Sequence, residues 1–276
     1  MLDQNLLSQV IEICQAAGEA ILEVYHSDEC MGVESKADDS PVTRADIAAH
    51  EILLPALAAL LPNVPVLSEE SELPDYAQRQ VWNRYWLIDP LDGTKEFIHK
   101  NDEFTVNVAL IENHQAVLGV VYVPVSNVVY SGITGVGAWK TEAGATQAIE
   151  SRSMANRIAP QQAIEVVASR HHGASEIDPL MHRIRAAVGE VQTKSMGSSL
   201  KLCLVAEGKA DLYPRLALTS EWDTAAAQAI VEAAGGCVLD DKLQPLRYNT
   251  KDDILNPYFY VIGDTQFNWK ALLLTA

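Results

Sequence analysis

The sequence predicts an α+β fold, on three observations. Residues 2–25 place Leu6, Val10, Ile13, Ala17 and Ile21 at helical spacing, the apolar stripe of a helix laid on a core. Residues 104–141 contain four strand-like runs separated by short turns, which reads as an antiparallel meander. After about residue 150 helical and extended segments alternate instead.

Taken in order, a second helix is expected from Thr43 or Ala45 to Leu60, with Pro41 before it and Pro62 after it as start and stop signals. Pro55 lies inside that run and is expected to kink or split it. Residues 64–67 form a short strand that ends in Ser68-Glu69-Glu70, and residues 86–89 a buried strand that ends in a turn, Asp89-Pro90-Leu91-Asp92-Gly93-Thr94. A helix over 95–100 follows, then strands over 104–112, 117–123, 128–134 and 137–141. In the second half, 164–168, 210–213, 238–239 and 259–262 read as strands, and 176–188, 198–207 and 266–274 as helices. The alanine-rich run 224–234 is a helix closed by Gly235-Gly236. The change of pattern divides the chain into an N-terminal subdomain, 1–155, and a C-terminal one, 156–276, with a cleft expected near 150–165.

Composition excludes several classes. No apolar run is long enough to span a bilayer, and the start, Met1-Leu2-Asp3-Gln4, lacks a basic signal-peptide pattern. A cytoplasmic protein is the expectation, with peripheral association at the inner membrane surface left open. Cys14, Cys30, Cys203 and Cys237 are scattered, which argues against a disulfide framework or a zinc site. A formal net charge of −17 argues against long nucleic acids as ligands. It also opposes a phosphate ester, unless divalent cations reverse the field locally. Acidity as a solubility device is the plainer explanation.

Chemistry concentrates in four acidic patches. Asp89 and Asp92, held by a proline and a glycine at a strand end, can converge on one point, and hard oxygens of that kind suit Mg2+. Thr94 then opens a helix whose first N–H groups can hold an anion. Ser68-Glu69-Glu70 brings further carboxylates to the same sheet edge, or is simply an exposed acidic loop. In Glu221-Trp222-Asp223-Thr224, Asp223 precedes the alanine-rich helix as its N-cap; a spare oxygen could also bind metal, with Trp222 shielding it from water. Asp46, near the start of its helix, serves the helix dipole or accepts a hydrogen bond from Thr94.

Together these patches resemble the lithium-sensitive, magnesium-dependent phosphatases of the inositol monophosphatase superfamily, and within it the bacterial 3'(2'),5'-bisphosphate nucleotidases. The likeness covers nearly the whole chain: residues 33–46, Pro65 to Glu70, Trp86 to Phe97, Gly197-Ser198-Ser199-Leu200-Lys201, and Trp222 to Ala226. It implies an αβαβα sandwich with a largely antiparallel N-terminal sheet. It implies that Glu69, Asp89, the Leu91 carbonyl, Asp92 and Asp223 hold two or three Mg2+ ions, with Glu70 structural. Asp46 and Thr94 would activate the attacking water, and the amides of Gly93 and Thr94 would hold the phosphate.

The same resemblance addresses the substrate. Inositol phosphatases of the superfamily carry a glutamate near the strand before Trp-Asp, where this chain reads Ala210-Asp211-Leu212-Tyr213-Pro214-Arg215. An arginine there can grip a phosphate bidentately. Ser198, Lys201 and Arg215 match the nucleotide contacts of the bisphosphate nucleotidases, and His171 is expected to face the adenosine. The implied reaction converts adenosine 3',5'-bisphosphate (PAP) to AMP and phosphate. The sulfate donor PAPS is a second candidate substrate. Inositol phosphate or fructose bisphosphate hydrolysis is the alternative within the superfamily, and a nucleotide sensor without turnover the alternative outside enzymes. The two residues between Asp89 and Asp92 disagree with the haloacid-dehalogenase signature, and no Walker or H-E-x-x-H motif occurs. Monomer and homodimer both remain open.

Overall fold

The computed structural model describes residues 2–27, 32–35, 41–159, 161–168 and 174–274. Helix α1 (Gln4–His26) begins where the Asp3 carboxylate accepts the Leu6 amide at 2.9 Å, and it buries Leu6, Val10, Ala17 and Ile21. Strand β1 (Glu34–Ser35) pairs antiparallel with β2 (Pro41–Val42). Helix α2 (Arg44–Leu60) opens with a capping box between Thr43 and Asp46. It runs through Pro55 as one helix, so the expected split does not occur. Pro55 and Glu51 lie on the exposed face, where water can serve the carbonyl a proline leaves unpaired, while Ala49, Leu53 and Leu57 anchor the opposite face.

A seven-stranded sheet follows: β3 (Val66–Ser68), β4 (Arg84–Asp92), β5 (Thr105–Glu112), β6 (Gln115–Val123), β7 (Val128–Ile133), β8 (Gly137–Glu142) and β9 (Ala145–Ile149), hydrogen-bonded in chain order. Only β3 and β4 are parallel within it. Short helices α3 (Tyr76–Arg79) and α4 (Thr94–Ile98) flank β4 in the chain. Strand β4 does not end at Asp89. Asp89 pairs with Asn107 and Asp92 with Thr105, so Pro90 and Leu91 stand opposite Val106 alone. The expected turn is therefore a β-bulge, a place where a strand tolerates proline and re-aims side chains. Strand β9 was not expected, because four of its five residues are exposed and give no alternating pattern.

After α5 (Ala155–Ile158) come β10 (Ile164–Ala168), α6 (Ala174–Val188), β11 (Val191–Ser195), α7 (Leu200–Ala206), β12 (Leu212–Arg215), α8 (Trp222–Ala233), β13 (Cys237–Asp240), β14 (Phe259–Ile262) and α9 (Lys270–Leu273). The second sheet has the order β11-β10-β12-β14-β13 and is mixed. Strand β11 escaped sequence reading because only Val191 in it is buried.

Helices α1 and α2 cover one face of the large sheet, with Val10, Leu53 and Leu57 packed among Trp86, Val106 and Val120. Helices α7 and α8 fill the space between the two sheets. Alternation in the second sheet sends Val167, Tyr213 and Val261 inward to that layer, while Val166, Leu212 and Ile262 pack outward with Ile184 and Leu273 of α6 and α9. The result is the layered αβαβα arrangement.

Contact between α8 and the large sheet is close enough to demand glycine. A Cβ on Gly119 of β6 would lie 2.0 Å from the Ala226 carbonyl oxygen, backbone that cannot step aside without moving α8. Gly119→Ala is expected to lower stability by about 1–3 kcal/mol, the usual cost of overpacking. Thermal unfolding of the variant checks this, and an unchanged Tm would mean that α8 has slack against the sheet.

Candidate metal centre and adjoining cavity

Three carboxylates from distant parts of the chain converge. Asp89 and Asp92 come from either side of the β4 bulge and Asp223 from α8, and one oxygen of each lies within 4.8 Å of the others. Asp223 is not the N-cap that its sequence position indicated. Glu221 occupies the cap and Asp223 lies in the first turn, because the helix begins at Trp222. From there its Oδ2 accepts the Ser220 amide at 2.8 Å.

Each acid is held by groups that leave it a spare oxygen. Asp89 Oδ1 accepts the Leu91 amide at 3.0 Å across the bulge. Asp92 Oδ2 accepts the Ser199 amide at 2.6 Å, the Ser199 hydroxyl at 2.7 Å and the Asn107 side chain at 3.3 Å. Ser199 also lies 2.8 Å from the Asp223 carbonyl, so one buried hydroxyl touches both halves of the acidic set.

Electrostatics describes the same crowding. Burial, then the charges of Glu69, Asp92 and Asp223, hold the Asp89 carboxyl well above the ordinary carboxylate range. Burial, then Asp92 and Glu69, do the same to Asp223. Such a set is costly as bare anions, and a hard divalent cation with a preference for carboxylate oxygen fits it.

Asp46 is pointed at this region by its capping box. Its Oδ2 accepts both the Thr43 amide, at 2.8 Å, and the Thr43 hydroxyl, at 2.6 Å. Its Oδ1 is left to accept the Thr94 hydroxyl at 3.2 Å. The same hydroxyl lies 3.4 Å from the Leu91 carbonyl. Burial raises the Asp46 carboxyl above its ordinary range, and the Thr43 hydrogen bonds oppose that. Gly93, at φ +95°, provides the left-handed turn between the bulge and α4.

A cavity of about 450 Å³ adjoins the acids and is lined by Asp92 and Asp223 together with Lys95, Lys201, Arg215 and Ser198. The segment 150–165, where the sequence placed a cleft, lines a different cavity through Glu150, Ser151, Arg152 and Ser153 and gives no wall to this one. Lys201 is buried and donates to the Ser198 carbonyl at 2.6 Å. Burial lowers its ammonium to about 8, opposed by the charge of Asp92. Arg215 donates to the Ala217 and Leu218 carbonyls at 3.2 and 3.1 Å. Ser198 sits at φ +43° with its buried hydroxyl unpartnered among the described residues. His171 lies outside the described residues. Sequence reading missed Asn107, Thr43 and Lys95. Asn107 stands outside every quoted motif; Thr43, Lys95 and Ser199 stood inside quoted motifs, but nothing there marked their contacts in the folded site.

The inositol monophosphatase family model matches residues 2–270, and the chain belongs to that family. The 3'(2'),5'-bisphosphate nucleotidase CysQ of Escherichia coli K12 is 50% identical over 256 residues, which cover 93% of this chain and 99% of that protein. The protein of the same name from Haemophilus influenzae is 35% identical, over 98% of this chain and 97% of its own. Among solved structures, CysQ from Bacteroides thetaiotaomicron superposes with a TM-score of 0.80 at 41% identity, covering 96% of this chain and 99% of that one. The suppressor protein SuhB from Bartonella henselae, at 23% identity and a TM-score of 0.77, shares the fold.

Proposed function

We infer that this chain is a metal-dependent phosphatase that hydrolyses 3'(2'),5'-bisphosphate nucleotides, converting PAP to AMP and phosphate, with PAPS as a second substrate. The observation that carries this reading is a single cavity lined by the acids Asp92 and Asp223 and by the cations Lys201 and Arg215. A substrate with one phosphate to lose and one to keep matches that pairing. The relatives named CysQ support it across nearly the full chain. The net charge of −17, and the lack of any helix long and apolar enough to cross a membrane among the described residues, suit a cytoplasmic enzyme of small molecules.

In this reading Glu69, Asp89, the Leu91 carbonyl, Asp92 and Asp223 hold two or three Mg2+ ions. When bound, these ions offset the charge on the phosphoryl oxygens and make water acidic enough to attack at neutral pH. Thr94 takes a proton from the attacking water as its own proton passes to Asp46 Oδ1. The Gly93 and Thr94 amides hold the phosphoryl group that is transferred. Water oxygen bonds to phosphorus as the ester oxygen departs, and that oxygen takes up a proton from solvent water. Lys201 and Arg215 hold the retained phosphate, Ser198 adds a hydroxyl, and His171 serves the adenosine. The division at residue 155 then gives the N-terminal part most of the metal ligands and the C-terminal part the nucleotide contacts.

Phosphate release from PAP, with Mg2+ and with EDTA, tests the reading. Turnover of PAP well above that of inositol phosphate is expected, and the reverse order would assign the chain to sugar phosphates. Mg2+-dependent binding of PAP without phosphate release would make it a sensor. Arg215→Glu is expected to cut kcat/KM for PAP by about 10–100-fold, the worth of a charged hydrogen bond. Hydrolysis of a singly phosphorylated compound should fall far less, and equal losses would remove Arg215 from substrate selection.

A further inference from the structure

Asp223 stands on the first turn of α8, where an isolated helix end is the least constrained part of the helix. Residues 249–256 wrap that end. At the start of the segment, the Asn249 amide donates to both oxygens of the Glu221 carboxylate, at 3.0 and 2.8 Å. Asn249 is itself locked by its side chain, which accepts from the Arg79 guanidinium and donates to the Arg79 carbonyl at 2.6 Å. Asn249 and Arg79 are both fully buried.

At the other end, Asn256 is 3% exposed. Its side-chain nitrogen donates to the Ser220 carbonyl at 2.6 Å and to the Thr224 hydroxyl at 3.0 Å, and lies 3.2 Å from the Thr219 hydroxyl. Its backbone amide donates to the Thr219 carbonyl at 2.8 Å. Ser220 and Thr224 bracket Asp223, and the Ser220 amide is the group that orients the Asp223 carboxylate. The Ser220 carbonyl can only accept, so the nitrogen of Asn256 must face it. That leaves Asn256 Oδ1 buried without a hydrogen-bond partner among the described residues. An unpaired buried acceptor has a cost, so the site keeps its donors here at the expense of its acceptor.

We propose that Asn256 is a positioning residue for the metal centre: its side-chain amide fixes the Ser220–Thr224 turn and thereby aims the Asp223 carboxylate at Asp89 and Asp92. The proposal rests on the reading of Asp223 as a metal ligand. Mn2+ binding to the EDTA-stripped, dialysed protein, followed by calorimetry, tests it on wild type, Asn256→Ala, Asp223→Asn and the double variant, with thermal unfolding in EDTA alongside. Asn256→Ala is expected to weaken Mn2+ binding at least tenfold while the metal-free protein still unfolds cooperatively. In the Asp223→Asn background the same change should have no further effect, because the residue acts through that carboxylate. Unchanged Mn2+ affinity in Asn256→Ala overturns the proposal, as does an equal loss in both backgrounds, which marks a general structural role. If Asp223→Asn binds Mn2+ like wild type, Asp223 is no ligand and the underlying reading fails first. Asn256→Ser keeps a donor for the Ser220 carbonyl and should bind Mn2+ more tightly than Asn256→Ala. If the alanine variant does not fold, Asn256→Ser is compared with wild type in the same two backgrounds and read by the same criteria.

Discussion

Asp89→Asn is expected to reduce phosphate release by about three orders of magnitude, the scale of the several kcal/mol that a metal supplies to a phosphoryl transition state. It is also expected to raise, or leave unchanged, the Tm of the protein in EDTA. The two effects have one cause. Asp89 is 1% exposed and faces Glu69, Asp92 and Asp223, so its folded-state proton affinity lies above its unfolded one. For a carboxyl group that direction means that ionisation weakens the fold as pH rises past the ordinary carboxylate range. Asparagine keeps the shape and the oxygen that accepts the Leu91 amide, and removes the charge. A residue that merely supported the fold would lose stability on substitution. Phosphate release and thermal unfolding, each with Mg2+ and with EDTA, separate the two. Near-normal turnover, or a sharp fall of Tm in EDTA, would remove Asp89 from the metal set.

The contrast between Asp89 and Asn256 shows where sequence reading reached and where it stopped. Asp89 and Asp92 stood out because a bulge packs proline, glycine and two acids into a few consecutive residues, and composition that dense is visible without a fold. Even so, the element was misread as a turn after a strand. A bulge continues the ladder, and Asp92 still pairs with Thr105, which no local pattern announces. Asp223 was noticed for the same reason, next to a tryptophan and before an alanine run. Its place in the helix was off because aspartate is favoured both at the cap and in the first turn. The supports were invisible. Asn107 is an ordinary strand residue, and Ser199 reaches Asp92 from 107 residues away. Strands β9 and β11 failed for a simpler reason: exposed edges carry no period-two signal. The layers themselves were legible, because α1, α2 and the meander bury their apolar faces in the pattern the sequence displays.

Thr94→Ala is expected to lower kcat for PAP by about 10²–10⁴-fold, the span of general acid–base catalysis, with little change in KM. The Thr94 hydroxyl has one proton, and Asp46 Oδ1 accepts it at 3.2 Å. Its lone pairs are then free to take a proton from water. Asp46 can serve as the final acceptor because its other oxygen is already engaged by Thr43, which fixes the carboxylate in one orientation. Burial raises the proton affinity of Asp46 above that of an ordinary aspartate, which makes it a better base in the folded protein. Asp46→Asn should produce a loss of similar size, because its one oxygen can keep the Thr43 contacts while its NH2 group cannot take up the Thr94 proton. Because the two residues act as one relay, the double variant should be no slower than the worse single one. Mn2+ binding should survive in Thr94→Ala, in contrast to Asp89→Asn, since the hydroxyl is not in the proposed ligand set. A Thr94→Ala enzyme within fivefold of wild type, or losses that multiply in the double variant, would show that water is activated without this pair.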